Sequence, residues 1–286
     1  MKKIDVLRRY IRAQFVLAKE EEIAETYAEI LEGTRLKGYN LWILGFAMII
    51  ACIGLTVDST SAVIGAMLIS PLMGPIVALG FGMAINNRDF KTQGIHNWLM
   101  MTLTSLVASV LFFLISPFDN NTDALLSFQK ATIFDILLAF FGGMAGFIGI
   151  IKKEGTKVIA GVAVATACMP PLCTAGYGIA HLDYHFFIGG LYFYLINCLF
   201  IGLATFLTAR FTGYHKNCSL EKPEKTTLWL WYIFIILMIL PSVYIAYIKW
   251  QDEKQKQLPT DSMQTRIEIL ERRVEVLDSL MKIKNK

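Results

Sequence analysis

The sequence predicts an all-α integral membrane protein: seven transmembrane helices in two inverted three-helix repeats plus one helix, followed by a C-terminal coiled-coil helix. Three observations predict it. The chain is 55% hydrophobic and only 17% charged, where soluble domains carry about 25% charged residues. Its charges crowd into residues 1–39 and 250–286, leaving an apolar middle. And that middle repeats itself after 96 residues.

Seven apolar runs are long enough to cross roughly 30 Å of hydrocarbon, which takes about 20 helical residues. They lie near Leu41–Val57, Ala62–Ile85, Trp98–Ile115, Ile133–Ile151, Val158–Ala180, Phe186–Ala209 and Leu228–Ile248. None alternates with a period of two, so helices are expected rather than a barrel. Lys and Arg are rich before the first run and recur in alternate connections, at Arg88 and Lys91, at Lys152, Lys153 and Lys157, and from Arg210 to Lys225. The facing connections, Asp58–Ser61 and His181–His185, have none, and that from 116 to 132 holds only Lys130. This bias places the N-terminus in the cytoplasm. The basic C-terminal tail is the exception, since seven crossings put it outside. The start, Met1-Lys2-Lys3, lacks the short apolar core and cleavage site of a signal peptide.

The expected organisation is an amphipathic cytoplasmic helix over 1–39, a membrane domain over 40–249 and a coiled-coil helix over 260–286. Repeat one covers 40–116, repeat two 131–210, and the extra span 228–248. A shift of 96 residues aligns runs two and five without a gap. Gly65 meets Gly161, Met73 meets Met169, Pro75 meets Pro171, Gly80 meets Gly176 and Phe90 meets Phe186. Aligned Pro and Gly are harder to reach by chance than aligned Leu and Ala. Three spans per repeat is an odd number, so the halves enter the bilayer from opposite sides, an arrangement in which paired Gly/Pro-interrupted spans mark a central site.

Those interruptions are the expected functional feature. Pro71 and Pro75 bracket Gly74 after Ser70, and Pro170-Pro171 follow Thr166. Each proline lacks an N–H and crowds the carbonyl four residues back, at about 3 kcal/mol in a helix interior. Carbonyls freed at such a break, with the Ser70 and Thr166 hydroxyls, suit a cation; freed N–H groups suit an anion. Against this stands a plain proline kink satisfied by neighbouring helices. Asp58 and Glu154 precede the two spans in equivalent places and are candidate entrance charges, although helix-capping chemistry explains them equally. Asp135 opens the fourth span, as an intramembrane acid or a solvated interfacial one. Asn97 and Asn197 are expected as interhelical hydrogen-bonders.

No catalytic residues are expected, because phosphate-loop, His-Glu-x-x-His and Gly-x-Ser-x-Gly motifs are all lacking. No metal and no cofactor are expected either. The cysteines sit mostly in apolar runs as small hydrophobes; Cys168 and Cys173 flank the paired prolines, where soft sulfur could take copper-like metal, but their repeat partners are Leu72 and Val77. A net charge of +4 arises from loop residues and implies no nucleic acid. Residues 4–32 place apolar side chains three and four apart, for a helix on the membrane surface or on its own membrane domain. In the tail, Ile267, Leu270, Val274 and Leu277 form a heptad seam with Arg266 and Glu271 flanking it. This pattern predicts a homo-oligomer, trimer before dimer.

The segments Gly65-Ala-Met-Leu-Ile-Ser-Pro-Leu-Met-Gly-Pro75 and Ala165-Thr-Ala-Cys-Met-Pro-Pro-Leu-Cys-Thr-Ala-Gly176 resemble the signatures of the uncharacterised hydrophobic-domain family, domain of unknown function 389. The resemblance covers roughly residues 35–210. It implies a prokaryotic multi-pass protein of the cytoplasmic (inner) membrane and carries neither an activity nor site residues. The expected function is a transporter or channel for a small solute or ion, in contact with the lipid bilayer. The alternative is a non-transporting scaffold or sensor that oligomerises through its tail.

Overall fold

The computed structural model describes residues 20–34, 38–116, 122–152 and 156–212. The extra span at 228–248, the coiled-coil seam with Arg266, Ile267, Leu270, Glu271, Val274 and Leu277, residues 1–19 and Glu154 lie outside the described residues. So does the Thr166 side chain.

All regular structure among the described residues is helical. After α1 (Glu20–Thr34) come α2 (Gly38–Thr56), α3 (Thr60–Ile69), α4 (Met73–Ala84) and α5 (Arg88–Ile115). A short α6 (Asp123–Ser127) leads to α7 (Ile133–Lys152), α8 (Thr156–Ala180) and α9 (Tyr184–Phe211). Four helices, α2, α5, α7 and α9, are long and apolar enough to cross a membrane alone. The pair α3–α4, bent by 55°, makes a fifth crossing if taken as one span. Large apolar side chains remain on the outside: Trp42, Phe46, Leu103, Leu111, Phe134 and Phe141 are all more than half exposed. Bands of that kind are stable only against lipid or another apolar surface.

Local chemistry fixes the helix ends. Asn87 caps α5, its Oδ1 accepting from the backbone N–H groups of Asp89 and Phe90 (2.9 and 3.3 Å). Asp183 caps α9 through His185 and Phe186 (2.9 and 3.4 Å). A cap of this type contributes about 1 kcal/mol. The residue before each cap, Asn86 and Leu182, is left-handed, with φ of 54° and 55°. Asn tolerates this conformation; a leucine there is strained. The turn bonds match as well: Asn87 N–H reaches Gly82 O at 3.0 Å, and Asp183 N–H reaches Gly178 O at 2.8 Å. All these pairs are 96 residues apart. The bounds of α5 and α9 differ by the same 96 at both ends, as do those of α3–α4 and α8.

The packing follows the same correspondence. α5 lies on α4 and on α8, while α9 lies on α8 and on α4. Two glycines permit the crossings between halves. A Cβ added to Gly80 would overlap the Gly202 carbonyl oxygen and lie 2.8 Å from Thr205 Cβ. One added to Gly176 would overlap Ser109 Oγ and lie 2.5 Å from Ser109 Cβ. Gly80 and Gly176 are equivalent under the shift, and so are Ser109 and Thr205. The contact is therefore made twice, reciprocally.

Residues 20–34 pack on the membrane domain, one of the two sites expected for the N-terminal helix. Ile30 joins Phe81, Phe90, Phe147 and Ile151 in a buried cluster, with the Tyr27 ring edge-on to Phe90 at 4.8 Å. Asn97 Nδ2 donates to the Thr34 carbonyl and so ties the end of α1 to α5. That is the interhelical role expected of Asn97.

Candidate functional site

The second span breaks where its sequence indicates. Ser70 ends α3 with extended backbone (φ −70°, ψ 128°), and α4 resumes at Met73. Pro71 has no N–H for the Met67 carbonyl, which frees the end of α3. Pro75 is the third residue of α4, where an N–H would be unpaired in any case, so it fits without loss. Within the turn Leu72 N–H donates to Ser70 Oγ (3.4 Å) and Gly74 N–H to Pro71 O (3.3 Å). Ser70, Pro71 and Gly74 are half-buried and Pro75 is buried. Gly74 is covered by α1, since a Cβ there would overlap the Gly33 carbonyl oxygen.

The fifth span corrects the expectation of a second break. Pro170 and Pro171 lie inside α8, which runs as one helix from Thr156 to Ala180. The 96-residue shift gives the reason. Pro75 has its partner in Pro171, but Pro71, the residue that opens the break, corresponds to Ala167. Adjacent prolines remove their two donors from a single turn. Thr174 Oγ1 then donates to Pro170 O at 3.1 Å, and α9 presses its backbone against the same turn, Gly190 facing Pro171 O. Both prolines are buried. Among the described residues no hydrogen bond connects the Ser70–Pro75 turn with Pro170 or Pro171. α3 nevertheless packs along α8.

The two described acids near the spans have loop-fixing roles. Asp58 is exposed and left-handed, with φ 52°. Its Oδ1 accepts from Ala124 N–H at the start of α6 (3.3 Å). Asp135 Oδ2 accepts from the N–H and the hydroxyl of Thr132 (2.8 and 2.6 Å), closing the start of α7. Asp135→Ala is therefore expected to destabilise the protein by about 1 kcal/mol, which thermal unfolding in detergent measures.

Buried polar atoms gather on α5 instead, a face that single-residue motifs did not reveal. Asn97, Ser105 and Ser109 lie on the buried face of the helix, with the half-buried Thr102 beside it. Thr102 and Tyr194 hydroxyls lie 2.6 Å apart, and Trp98 stacks on the Tyr194 ring with centroids 6.3 Å apart. Trp98 and Tyr194 are also equivalent under the shift of 96. Ser109 Oγ donates to Cys173 O (3.1 Å) and receives from Cys52 Sγ (3.4 Å). Trp98 Nε1 and Ser105 Oγ are buried without partners. The described cysteines are all free thiols, with Cys168 and Cys198 sulfurs 3.8 Å apart. Among the described residues no three His, Cys, Asp or Glu side chains converge on a metal position. The sequence signal for this seam was a periodicity of small polar residues within an apolar helix.

Comparison with known proteins agrees with the local signatures. The family described as Domain of unknown function (DUF389) matches residues 67–203. An uncharacterized protein of Methanocaldococcus jannaschii is 24% identical over 229 residues, covering 78% of this chain and 70% of the relative. No solved structure matches. The matched stretch begins in α3, ends in α9, and takes in the broken turn, the paired prolines and the polar face of α5; over these residues the chain is similar to the DUF389 family.

Proposed function

We propose that the chain is a multi-pass transporter or channel for a small solute or ion in a prokaryotic cytoplasmic membrane. Its N-terminus is cytoplasmic and its core is two inverted three-span repeats, counting α8 as the fifth span. The observation that carries this reading is the interruption of the second span at Ser70–Leu72, inside a stretch of apolar helix. Backbone that leaves helical geometry at membrane depth is tolerated only where protein or a polar cavity receives its freed groups. The reciprocal Gly80–Thr205 and Gly176–Ser109 crossings support the repeat, since a two-fold relation exchanges contacts in this way. Ser70 and the freed carbonyls at the end of α3 bind the solute; the unpartnered Ser105 and Trp98 groups continue a polar route. Pro170 and Pro171 shape the opposite wall, with Thr166 beside them. Asp58 and Glu154 sit at the approaches.

The test is flux. Pro71→Ala restores a donor for Met67 O and favours a straight span, so flux of the transported species in proteoliposomes should change several-fold while the protein elutes unaltered from a sizing column. A panel of monovalent cations, monovalent anions and small neutral solutes identifies that species. Equal flux in Pro71→Ala, Ser70→Ala and parent for every permeant species, or no flux above empty liposomes, removes the proposal.

A second reading has one observation in its favour. The two glycine crossings are close, Gly80 against the Gly202 backbone and Gly176 against Ser109, and leave little room for a path, as a non-transporting scaffold would. In that reading partners assemble on a homo-oligomer, trimer before dimer, held by the seam at Ile267, Leu270, Val274 and Leu277 with Arg266 and Glu271 pairing between chains. Deleting 260–286 then abolishes the oligomer and its partner capture, with flux absent throughout.

A further inference from the structure

The thiols that sequence alone treats as packing groups meet across helices. Cys168 of α8 and Cys198 of α9 are 3.8 Å apart, sulfur to sulfur. Cys173, on the far side of the prolines, faces Cys52 of α2. We propose that Cys168 and Cys198 form a binding site for a soft monovalent d10 cation, of the Cu(I) or Ag(I) class, held between two thiolates that bridge α8 and α9.

Three features select this class of ion. Thiolate donors favour soft cations over magnesium, calcium or manganese. A pair of ligands excludes structural zinc, which takes four, and no third His, Cys, Asp or Glu converges here among the described residues. Monovalent d10 ions accept two ligands. At a metal–sulfur bond of about 2.3 Å, taken from zinc thiolates, a linear bridge needs sulfurs roughly 4.6 Å apart. The pair must open by less than about 1 Å, within reach of small rotations about the two Cα–Cβ bonds.

The other pair is less suited. Cys52 is fully buried and its sulfur already donates to Ser109 Oγ. Cys198 retains 8% exposure, the most of the described cysteines. A bound monovalent ion leaves the dithiolate with one net negative charge, which buried apolar surroundings disfavour. The Tyr194 hydroxyl beside Cys198 can donate towards it. Both thiols must lose their protons to bind, so affinity falls as pH falls.

The experiment uses the full chain in detergent, carrying Cys218→Ser, titrated with Ag(I) and with buffered Cu(I) under anaerobic conditions. The expected result is one tight equivalent per chain with thiolate-to-metal charge-transfer absorption. Cys168→Ala and Cys198→Ala should each weaken it by on the order of 100-fold or more, given that loss of outer-shell partners alone weakens metal sites 10–100-fold. Cys52→Ala and Cys173→Ala should retain it. X-ray absorption of the loaded parent, which needs no variant, should report two sulfur ligands. The proposal is overturned if the parent binds neither ion tightly, if binding survives in Cys168→Ala and Cys198→Ala, if it depends on Cys52 and Cys173 instead, or if the metal shell lacks sulfur.

Discussion

Single cysteines placed at Asp89 and His185 will be labelled from opposite sides of the membrane. The two positions are the second residues of α5 and α9, both are exposed, and they are 96 residues apart. Each follows an equivalent left-handed position, Asn86 or Leu182, and an equivalent side-chain cap, Asn87 or Asp183. If the turns are copies separated by three crossings, local structure is conserved between them while orientation is reversed. In the proposed orientation, which rests on the bias in basic residues, the Arg88 and Lys91 turn is cytoplasmic and the turn at His181–His185, without Lys or Arg, is on the outer side. A membrane-impermeant maleimide should modify Asp89→Cys only in inside-out vesicles and His185→Cys only in right-side-out vesicles. Cys52, Cys168, Cys173 and Cys198 are buried and should contribute little background; Cys218→Ser removes the remaining native thiol. The contrast is all-or-none, which makes it the largest effect expected here. Labelling of both from one side would leave the 96-residue correspondence in place and remove its inversion, and with it the central-site argument.

What the sequence disclosed depended on how locally each feature is determined. Span limits were legible to within a few residues at most ends, because apolar runs and charged connections are set residue by residue. The third span is the exception. It begins at Arg88 rather than near Trp98, since Asn87 caps it in the loop and the polar first turns Arg88–Asn97 remain helical. The break at Ser70 was legible for a similar reason: Pro71 removes a donor whatever its neighbours do. Pro170-Pro171 misled, because whether adjacent prolines interrupt a helix depends on what packs against the turn, and here Thr174 and the backbone of α9 supply that support. The bond from Ala124 N–H to Asp58 joins residues 66 apart, which no local pattern announces. The thiol pairing was beyond reach for the same reason. Cys168 and Cys198 are thirty residues apart, and only the packing of α9 on α8 brings them together.

The second large effect concerns the reciprocal crossings, where equivalent glycines should respond differently to the same added methyl group. At Gly176 the obstruction is the Ser109 side chain. Gly176→Ala is expected to destabilise the protein by about 1–3 kcal/mol, the usual range for overpacking. Ser109→Gly alone should also destabilise, by about 1–2 kcal/mol, through lower helix propensity and loss of its bonds to Cys173 O and Cys52. Together the two changes should be less harmful than their sum by about 1 kcal/mol or more, because the smaller residue vacates the space the methyl group needs. At Gly80 the nearest obstruction is the Gly202 carbonyl oxygen, and backbone cannot be trimmed. Thr205→Gly, the equivalent of Ser109→Gly, should therefore fail to relieve Gly80→Ala. Thermal unfolding of the two double-mutant cycles in one detergent measures the contrast. Additivity at Gly176–Ser109 would mean that the helices separate to admit the methyl group, and the crossing would then be a loose contact able to slide. Strong coupling there, with none at Gly80–Thr205, would make the two crossings rigid pivots of unequal stiffness. Any motion of one half against the other would then begin on the Ser109 side, where a side chain can give way, and not where two backbones touch.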